Sequence, residues 1–223
     1  MIVSTRSSEP SGSTGPRAGQ LIVLEGMPRA GKTTLAHALA AGGARVLGEY
    51  TTTSGATIPL SGHPGTVDGA AHDANWLRKA GQAGAALRDG AAVYADRDWL
   101  SALAYAYSIA GSDGGRLLRQ RCAWAQDCLA SGQLLLPGTY VIFHVTAATS
   151  LRRRSGLLDS DHPWSHPGHL QRLRYFYTWP AQVIATAHPG LAAALLEPAW
   201  HRVPGTGSPQ ARLRLLRELG TRQ

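Results

Sequence analysis

The chain has 223 residues, which suits a single domain with a sizeable core, and 43% of them are hydrophobic. No apolar run reaches the roughly 18 residues that span a membrane, and two cysteines, Cys122 and Cys128, are too few for a disulfide framework. These features predict a cytoplasmic protein without a membrane partner. The formal net charge is +8, and the basic residues are arginines apart from Lys32 and Lys79. Because these residues are scattered along the chain, a nucleic-acid partner is disfavoured.

Residues 1–19 are rich in Ser, Gly, Pro and Thr, which predicts a disordered amino-terminal tail. From residue 20 onward, strands and helices alternate, so residues 20–223 are expected to form one domain of the α/β class. Strands are predicted at 21–25, 44–48, 91–95, 139–145 and 199–203. Helices are predicted at 32–41, 71–89, 98–110, 115–131, 147–155, 168–187 and 208–219. This alternation predicts a parallel five-stranded sheet with helices on both faces.

Two stretches lack a hydrophobic period. We interpret residues 51–68 as a loop on the substrate side, because they are rich in Gly, Pro, Thr and Ser. Residues 156–167 are interpreted as the main part of a lid, which we place at about residues 155–167.

The segment that follows the first predicted strand matches the phosphate-binding pattern G-x-x-x-x-G-K-[ST]. An apolar run leads into it as a strand and a second one leads out as a helix, so its backbone N–H groups and the helix dipole would face phosphate oxygens. Lys32 is expected to reach the β- and γ-phosphates of ATP, and the Thr33 hydroxyl to bind Mg²⁺. The residues of the loop expected to bind the nucleotide are Gly26, Met27, Pro28, Arg29, Ala30, Gly31, Lys32, Thr33 and Thr34.

Charged residues follow the second and third predicted strands. Glu49 comes directly after the second strand, and Asp96 and Arg97 come directly after the third. Because ligands of parallel sheets bind at the carboxyl ends of the strands, we expect these side chains to surround the γ-phosphate. One acid to help hold Mg²⁺, one to accept a proton and one arginine to neutralise the transferring oxygens are what phosphoryl transfer needs. The alternatives are a solvated carboxylate at Glu49, and a helix cap with a surface arginine at Asp96 and Arg97.

With these motifs, the sequence resembles the thymidylate kinase and deoxynucleoside kinase superfamily. Residues 20–34 are similar to the thymidylate kinase opening, and residues 96–105 resemble the D-R-[YHW]-x-x-S-x-x-A-[YF] segment. Residues 137–154 resemble the strand and helix that lead into the lid, and residues 203–209 the last strand and adenine-side turn. The resemblance implies a three-layer P-loop NTPase fold. It also implies that Arg29 contacts the transferring phosphate, and that the lid arginines lie at the adenine or the phosphates of ATP; these are Arg152, Arg153 and Arg154.

The departures from the thymidylate kinase pattern concern the acceptor. Pro28 stands where thymidylate kinases usually carry an acidic residue that touches the substrate sugar. Gly48-Glu49-Tyr50 replaces an Arg-Glu-Pro segment whose arginine grips the monophosphate, so a charge-assisted phosphate contact is lost. Deoxynucleoside kinases place a glutamate here as the base for a sugar hydroxyl, and Glu49 fits that role.

The sequence therefore predicts a small-molecule kinase that moves the γ-phosphoryl of ATP, with Mg²⁺, to a hydroxyl group. The expected acceptor is a nucleoside or a nucleoside-like or antibiotic natural product. The sequence leaves open whether the protein forms a homodimer. One alternative is a nucleoside monophosphate kinase of the thymidylate type, which Arg29 and Arg97 favour. The other is an ATP-binding regulatory or nucleic-acid-associated module without acceptor chemistry, for which Pro28 and the basic charge leave room.

Overall fold

The computed structural model describes residues 19–65, 68–110, 115–154 and 162–221. The predicted tail lies outside these ranges except for residue 19, and so does the lid over 155–161. Within the described ranges, no helix is long and apolar enough to cross a membrane.

The core of the fold is a parallel five-stranded sheet in the order β2-β3-β1-β4-β5. Its strands are β1 (Leu21–Gly26), β2 (Arg45–Leu47), β3 (Val93–Asp96), β4 (Thr139–His144) and β5 (Ala199–Pro204). Every residue of β1 is buried, because this central strand is covered on both faces. Leu24 of β1 pairs with Asp96 of β3 on one side and with Val141 of β4 on the other. This register brings the ends of β1 and β3 side by side, and the prediction of a parallel α/β sheet is confirmed.

Helices cover both faces of the sheet. Those of the described residues are α1 (Lys32–Ala41), α2 (Gly69–Arg88), α3 (Leu100–Ile109), α4 (Arg116–Ala130), α5 (Ala147–Arg154), α6 (Pro167–Thr178), α7 (Pro180–Ala185), α8 (Pro189–Ala194) and α9 (Pro209–Thr221). Right-handed crossovers place α1 on one face, where α9 packs against it, and the helices between β2 and β5 on the other. The sheet and these two helical layers together form the three-layer arrangement.

The structure differs from the sequence prediction in the last third of the chain. The helix predicted at 168–187 is broken into α6 and α7 at Pro180, whose ring occupies the place of a helical N–H donor. The short helix α8 was not predicted at all. Short 3₁₀ helices lie at Leu60–Gly62 and Pro163–Ser165, inside the two stretches predicted to be irregular.

Candidate active site

In the phosphate-binding loop, the carbonyl groups have hydrogen-bond partners among the described residues and most of the N–H groups do not. The carbonyl oxygens of residues 26–30 accept hydrogen bonds from side chains, among them Lys32, Ser150, Arg153 and Arg212. The N–H groups of residues 29–34 donate no hydrogen bond to any described residue. Because the carbonyls are occupied and these donors are not, the loop offers N–H groups at the start of a helix to an anion.

The loop depends on backbone conformations that favour glycine. Gly26 has φ 121°, and a Cβ there would meet the carbonyl oxygen of Phe143 at 2.3 Å. Arg29 also takes a left-handed conformation, with φ 59°, although it carries a side chain. Such a conformation in a non-glycine residue is unfavourable and clusters at ligand sites.

Lys32 lies over the loop to which it belongs. Its side chain is buried, and Nζ donates to the carbonyls of Met27 at 2.9 Å and Gly26 at 3.2 Å. Burial, together with the nearby Arg97 guanidinium, lowers the pKa of Lys32 to about 8, although neighbouring carboxylates act in the opposite direction. An ammonium stripped of water in this way is suited to meeting phosphate oxygens.

Thr33 and Asp96, the two residues predicted to bind magnesium, lie in contact. The Thr33 hydroxyl donates to Asp96 Oδ2 at 2.6 Å, and Asp96 is fully buried at the end of β3. Its other oxygen, Oδ1, is buried and has no hydrogen-bond partner among the described residues. A hydroxyl and a buried carboxylate oxygen that lacks a donor form a hard-oxygen donor set, so these residues fit Mg²⁺.

Arg97 lies between two carboxylates. Its Nη1 is 3.4 Å from Glu25 Oε2, and its Nε is 3.0 Å from Glu49 Oε1. The contact of Nε is an ion pair rather than a hydrogen bond, since its N–H is not directed at the carboxylate. Arg97 also has φ 67°, a second left-handed conformation in a residue with a side chain. The structure thus brings Glu49 and Arg97 together, as the sequence predicts, and adds Glu25.

Glu25 was not singled out in the sequence, although it ends an otherwise apolar strand. Its side chain is fully buried and accepts hydrogen bonds from the hydroxyls of Ser101 at 2.7 Å and Tyr177 at 2.8 Å. The backbone N–H of Asp98 donates to it as well, at 3.1 Å. A buried charge requires such partners, and a glutamate inside a buried strand was the available signal.

Glu49 is the most accessible carboxylate of this group, with 31% of its side chain exposed. Burial alone would raise its pKa, but the Arg97 guanidinium and the Lys32 ammonium lower it further than burial raises it. Glu49 is therefore ionised at neutral pH and able to accept a proton.

Lys79 is a second residue of the site that the sequence reasoning missed. It lies on α2 with 3% exposure, and Nζ donates to the main-chain carbonyls of Asp96 and Arg97. Burial lowers its pKa to about 8, and the Asp96 and Glu49 carboxylates oppose that shift. Its signal was composition, since Lys32 and Lys79 are the two lysines of the chain.

An aromatic cluster follows Glu49 along the chain. The Tyr50 ring lies 4.2 Å from that of His63 and 5.8 Å from that of Trp76, between centroids, and the Tyr50 hydroxyl is hydrogen-bonded to His72 Nδ1. Trp76 is 5% exposed, so it packs within the core. A cluster of flat ring surfaces thus begins directly after Glu49 in the chain.

The arginines predicted to lie at ATP differ in their positions. Arg153 donates to the carbonyls of Arg29 at 2.9 Å and Gly205 at 3.0 Å, so it joins the phosphate-binding loop to the turn after β5. Arg152 is exposed, and its guanidinium lies 3.5 Å from Thr149 on its own helix. The side chain of Arg154 lies outside the described part. The Arg29 side chain is exposed at the mouth of the loop.

The sheet order, the loop after β1 and the covering helices define the three-layer fold of P-loop NTPases. Among solved structures, the chain is similar to a deoxyadenosine kinase from M. mycoides, described with the products dCMP and a flexible dCDP bound. The two share 12% sequence identity with a TM-score of 0.57, over 89% of this chain and 97% of that one. No protein-family model and no curated protein sequence matches this chain.

Proposed function

We propose that the protein is an ATP-dependent kinase that phosphorylates a hydroxyl group of a small molecule. The proposal rests on one observation: the phosphate-binding loop and the helix that follows it lie beside the ends of β2 and β3. Thr33 contacts Asp96 at 2.6 Å, and Arg97 contacts Glu49 at 3.0 Å. A phosphate cradle, a magnesium donor set, a base and a cation within one group are the parts that phosphoryl transfer uses.

The nucleotide half of the site would hold ATP by its phosphates. The free N–H groups of residues 29–34 would donate to phosphate oxygens, and Lys32 would leave its loop carbonyls for the β- and γ-oxygens. Thr33 and Asp96 would hold Mg²⁺. When bound, the ion neutralises charge on the phosphate oxygens.

The acceptor half of the site would activate a hydroxyl. Glu49, ionised and partly exposed, would take the hydroxyl proton as the acceptor oxygen bonds to the γ-phosphorus. The bond from that phosphorus to the β-bridging oxygen breaks, and ADP leaves with the electron pair. Arg97, held beside Glu49, would stabilise the charge of the transferring group.

The charges around Arg97 favour an acceptor without a phosphate of its own. Its guanidinium is already paired with Glu25 and Glu49, and the Lys79 ammonium is occupied by main-chain carbonyls. A monophosphate acceptor would need a further cation to grip it, since Arg97 is proposed to serve the transferring group and an anion next to Glu49 is otherwise repelled. We therefore propose a nucleoside or a nucleoside-like natural product, including an antibiotic, as the acceptor.

The test is a screen for acceptor-dependent release of ADP. Nucleosides, their monophosphates, and antibiotics of the nucleoside and aminoglycoside types are each added to ATP, Mg²⁺ and the purified protein. We expect ADP release to be much faster with an unphosphorylated compound than with the monophosphate of the same compound. ADP release by the Lys32→Met variant, assayed in parallel, should remain at background. A monophosphate that is the far better substrate would identify a nucleoside monophosphate kinase. ATP turnover that no acceptor raises would contradict a kinase.

A further inference from the structure

Three carbonyl groups from two strand ends converge on the side chain of Lys79. Its Nζ donates to the carbonyl oxygen of Arg97 at 2.7 Å, of Asp96 at 2.8 Å and of Glu49 at 3.4 Å. An ammonium has three N–H donors, so all are used and none is left for a substrate. The three carbonyls belong to the three strand-end residues whose side chains form the proposed reaction centre.

Lys79 also holds the backbone of Arg97 from both sides. The carbonyls of Asp96 and Arg97 belong to the peptide groups before and after the Arg97 Cα, and this residue has φ 67°. A left-handed conformation in arginine persists only where its surroundings enforce it. Lys79 therefore helps to determine the direction in which the Arg97 side chain leaves the backbone.

A second residue on the same face of α2 supports this contact. Asn75 lies one helical turn before Lys79 and is 1% exposed. Its Nδ2 donates to the Glu49 carbonyl at 3.0 Å, and its Oδ1 accepts from the backbone N–H of Thr51 at 3.1 Å. The peptide groups on either side of Tyr50 are thus tied to α2, and with them the position of Glu49.

The position suits a lysine rather than an arginine. Lys32 and Lys79 are the two lysines of the chain, and the other 20 of its 22 Lys and Arg residues are arginine. Both direct Nζ at main-chain carbonyls. A compact ammonium can donate from one point to carbonyl oxygens in several directions, whereas the planar fork of arginine spreads its donors apart.

We propose that Lys79 is a positioning residue that fixes the ends of β2 and β3 and thereby sets the geometry between Arg97 and Glu49. Its effect on the rate rests on the proposed kinase function. Its effect on the two strand ends does not, so the two are tested separately.

The first measurement is hydrogen–deuterium exchange on the Lys79→Met variant, which keeps the length of the side chain and removes its charge and donors. The matched control is Ala83→Gly, a buried position one turn along α2 that weakens the helix without removing a side-chain hydrogen bond to either strand end. We expect faster exchange at residues 47–51 and 95–99 in Lys79→Met and not in Ala83→Gly. Equal exchange patterns in the two variants would overturn the proposal. Lys79→Gln, which keeps two N–H donors, is measured in parallel. It is compared with Ala83→Gly if Lys79→Met does not fold.

The second measurement is steady-state kinetics with the acceptor found in the screen. We expect Lys79→Met to lower kcat by roughly 100-fold, because displacement of reacting groups by about 1 Å costs that much, while the KM for ATP stays close to that of the parent. Adding Lys79→Met to Glu49→Gln should then cost far less than the product of the two single effects, since both act on the same group. An unchanged kcat per folded molecule, or multiplicative effects, would contradict the positioning role. A parent protein without acceptor-dependent turnover would refute the proposed function, and the exchange measurement would still decide whether Lys79 holds the strand ends.

Discussion

The hydroxyl of Thr33 donates a hydrogen bond to the carboxylate of Asp96 across 2.6 Å, which joins the start of α1 to the end of β3. These residues are 63 positions apart in the chain. The contact leaves Asp96 Oδ1 buried and without a hydrogen-bond partner among the described residues. A hydroxyl and an unsatisfied carboxylate oxygen are thereby held together beside the phosphate-binding loop.

The Asp96→Asn variant keeps the shape of the side chain and removes its charge, so it tests the proposed role of Asp96 in metal binding. We expect a loss of roughly a hundredfold or more in kcat, because an amide binds Mg²⁺ much more weakly than a carboxylate, with a smaller change in the KM for ATP. Chelation of Mg²⁺ should abolish turnover in the parent. The control is Asp127→Asn, an exposed position on α4, which should behave as the parent does. An Asp96→Asn variant with full kcat at limiting Mg²⁺ would rule out the role.

Lys32→Met should remove phosphoryl transfer while keeping the fold. Lys32 would stabilise charge on the β- and γ-oxygens, so its loss is expected to cost on the order of a thousandfold in kcat. Thermal unfolding and circular dichroism check that the variant is folded, because Lys32 also binds two loop carbonyls. Arg88→Met, at an exposed position on α2, is the matched control. Near-parent turnover in a folded Lys32→Met protein would refute the assignment of the loop.

Glu49→Gln should distinguish a hydroxyl acceptor from a phosphate acceptor. A hydroxyl is a poor nucleophile and needs a base, so kcat should fall by roughly 10²–10⁴-fold with a modest change in the KM of the acceptor. A phosphate acceptor is already anionic and would be helped by loss of the negative charge. Kinetics with a matched nucleoside and nucleoside monophosphate measure the difference. A Glu49→Gln variant nearly as active as the parent would favour a nucleoside monophosphate kinase.

Asp98→Asn should change how stability depends on pH. Burial, with the Glu25 charge nearby, raises the pKa of Asp98 from 3.8 to about 8, while its hydrogen bonds from Leu100 and Tyr140 act in the opposite direction. The folded state therefore keeps a proton that the unfolded state releases, so this contribution to stability is present at low pH and is lost as the pH rises toward 8.

The free energy of unfolding of the parent should accordingly fall relative to that of Asp98→Asn between about pH 5 and pH 8. The expected difference is at least about 1.4 kcal/mol, the value of one pKa unit. Denaturant titrations across this pH range measure it, with Asp127→Asn as the exposed control. Parallel curves for the parent and Asp98→Asn would show that Asp98 ionises alike in both states.

Local patterns in the sequence predicted the phosphate-binding loop and the strands of the sheet. The sequence pattern of the loop is local: Gly26 provides a left-handed conformation, and Lys32 and Thr33 follow at fixed spacing on the first turn of α1. The apolar run before Gly26 is buried throughout, as a central parallel strand must be. The roles proposed for Glu49, Asp96 and Arg97 stay predictions, although their positions after the strands led to the region in which they lie.

Only the tertiary structure could decide which charges surround Arg97. Glu25 is 72 positions from Arg97, and Lys79 is 30 positions from Glu49, so no local period records these contacts. They arise because parallel strands bring their ends to one edge, where buried charges must find partners whatever their separation in the chain. For the same reason Lys79, which reads in the sequence as one more cation on a helix, is buried against the main chain of two strands. Short-range patterning determines the elements and the loop, whereas the pairing of buried charges is determined by packing.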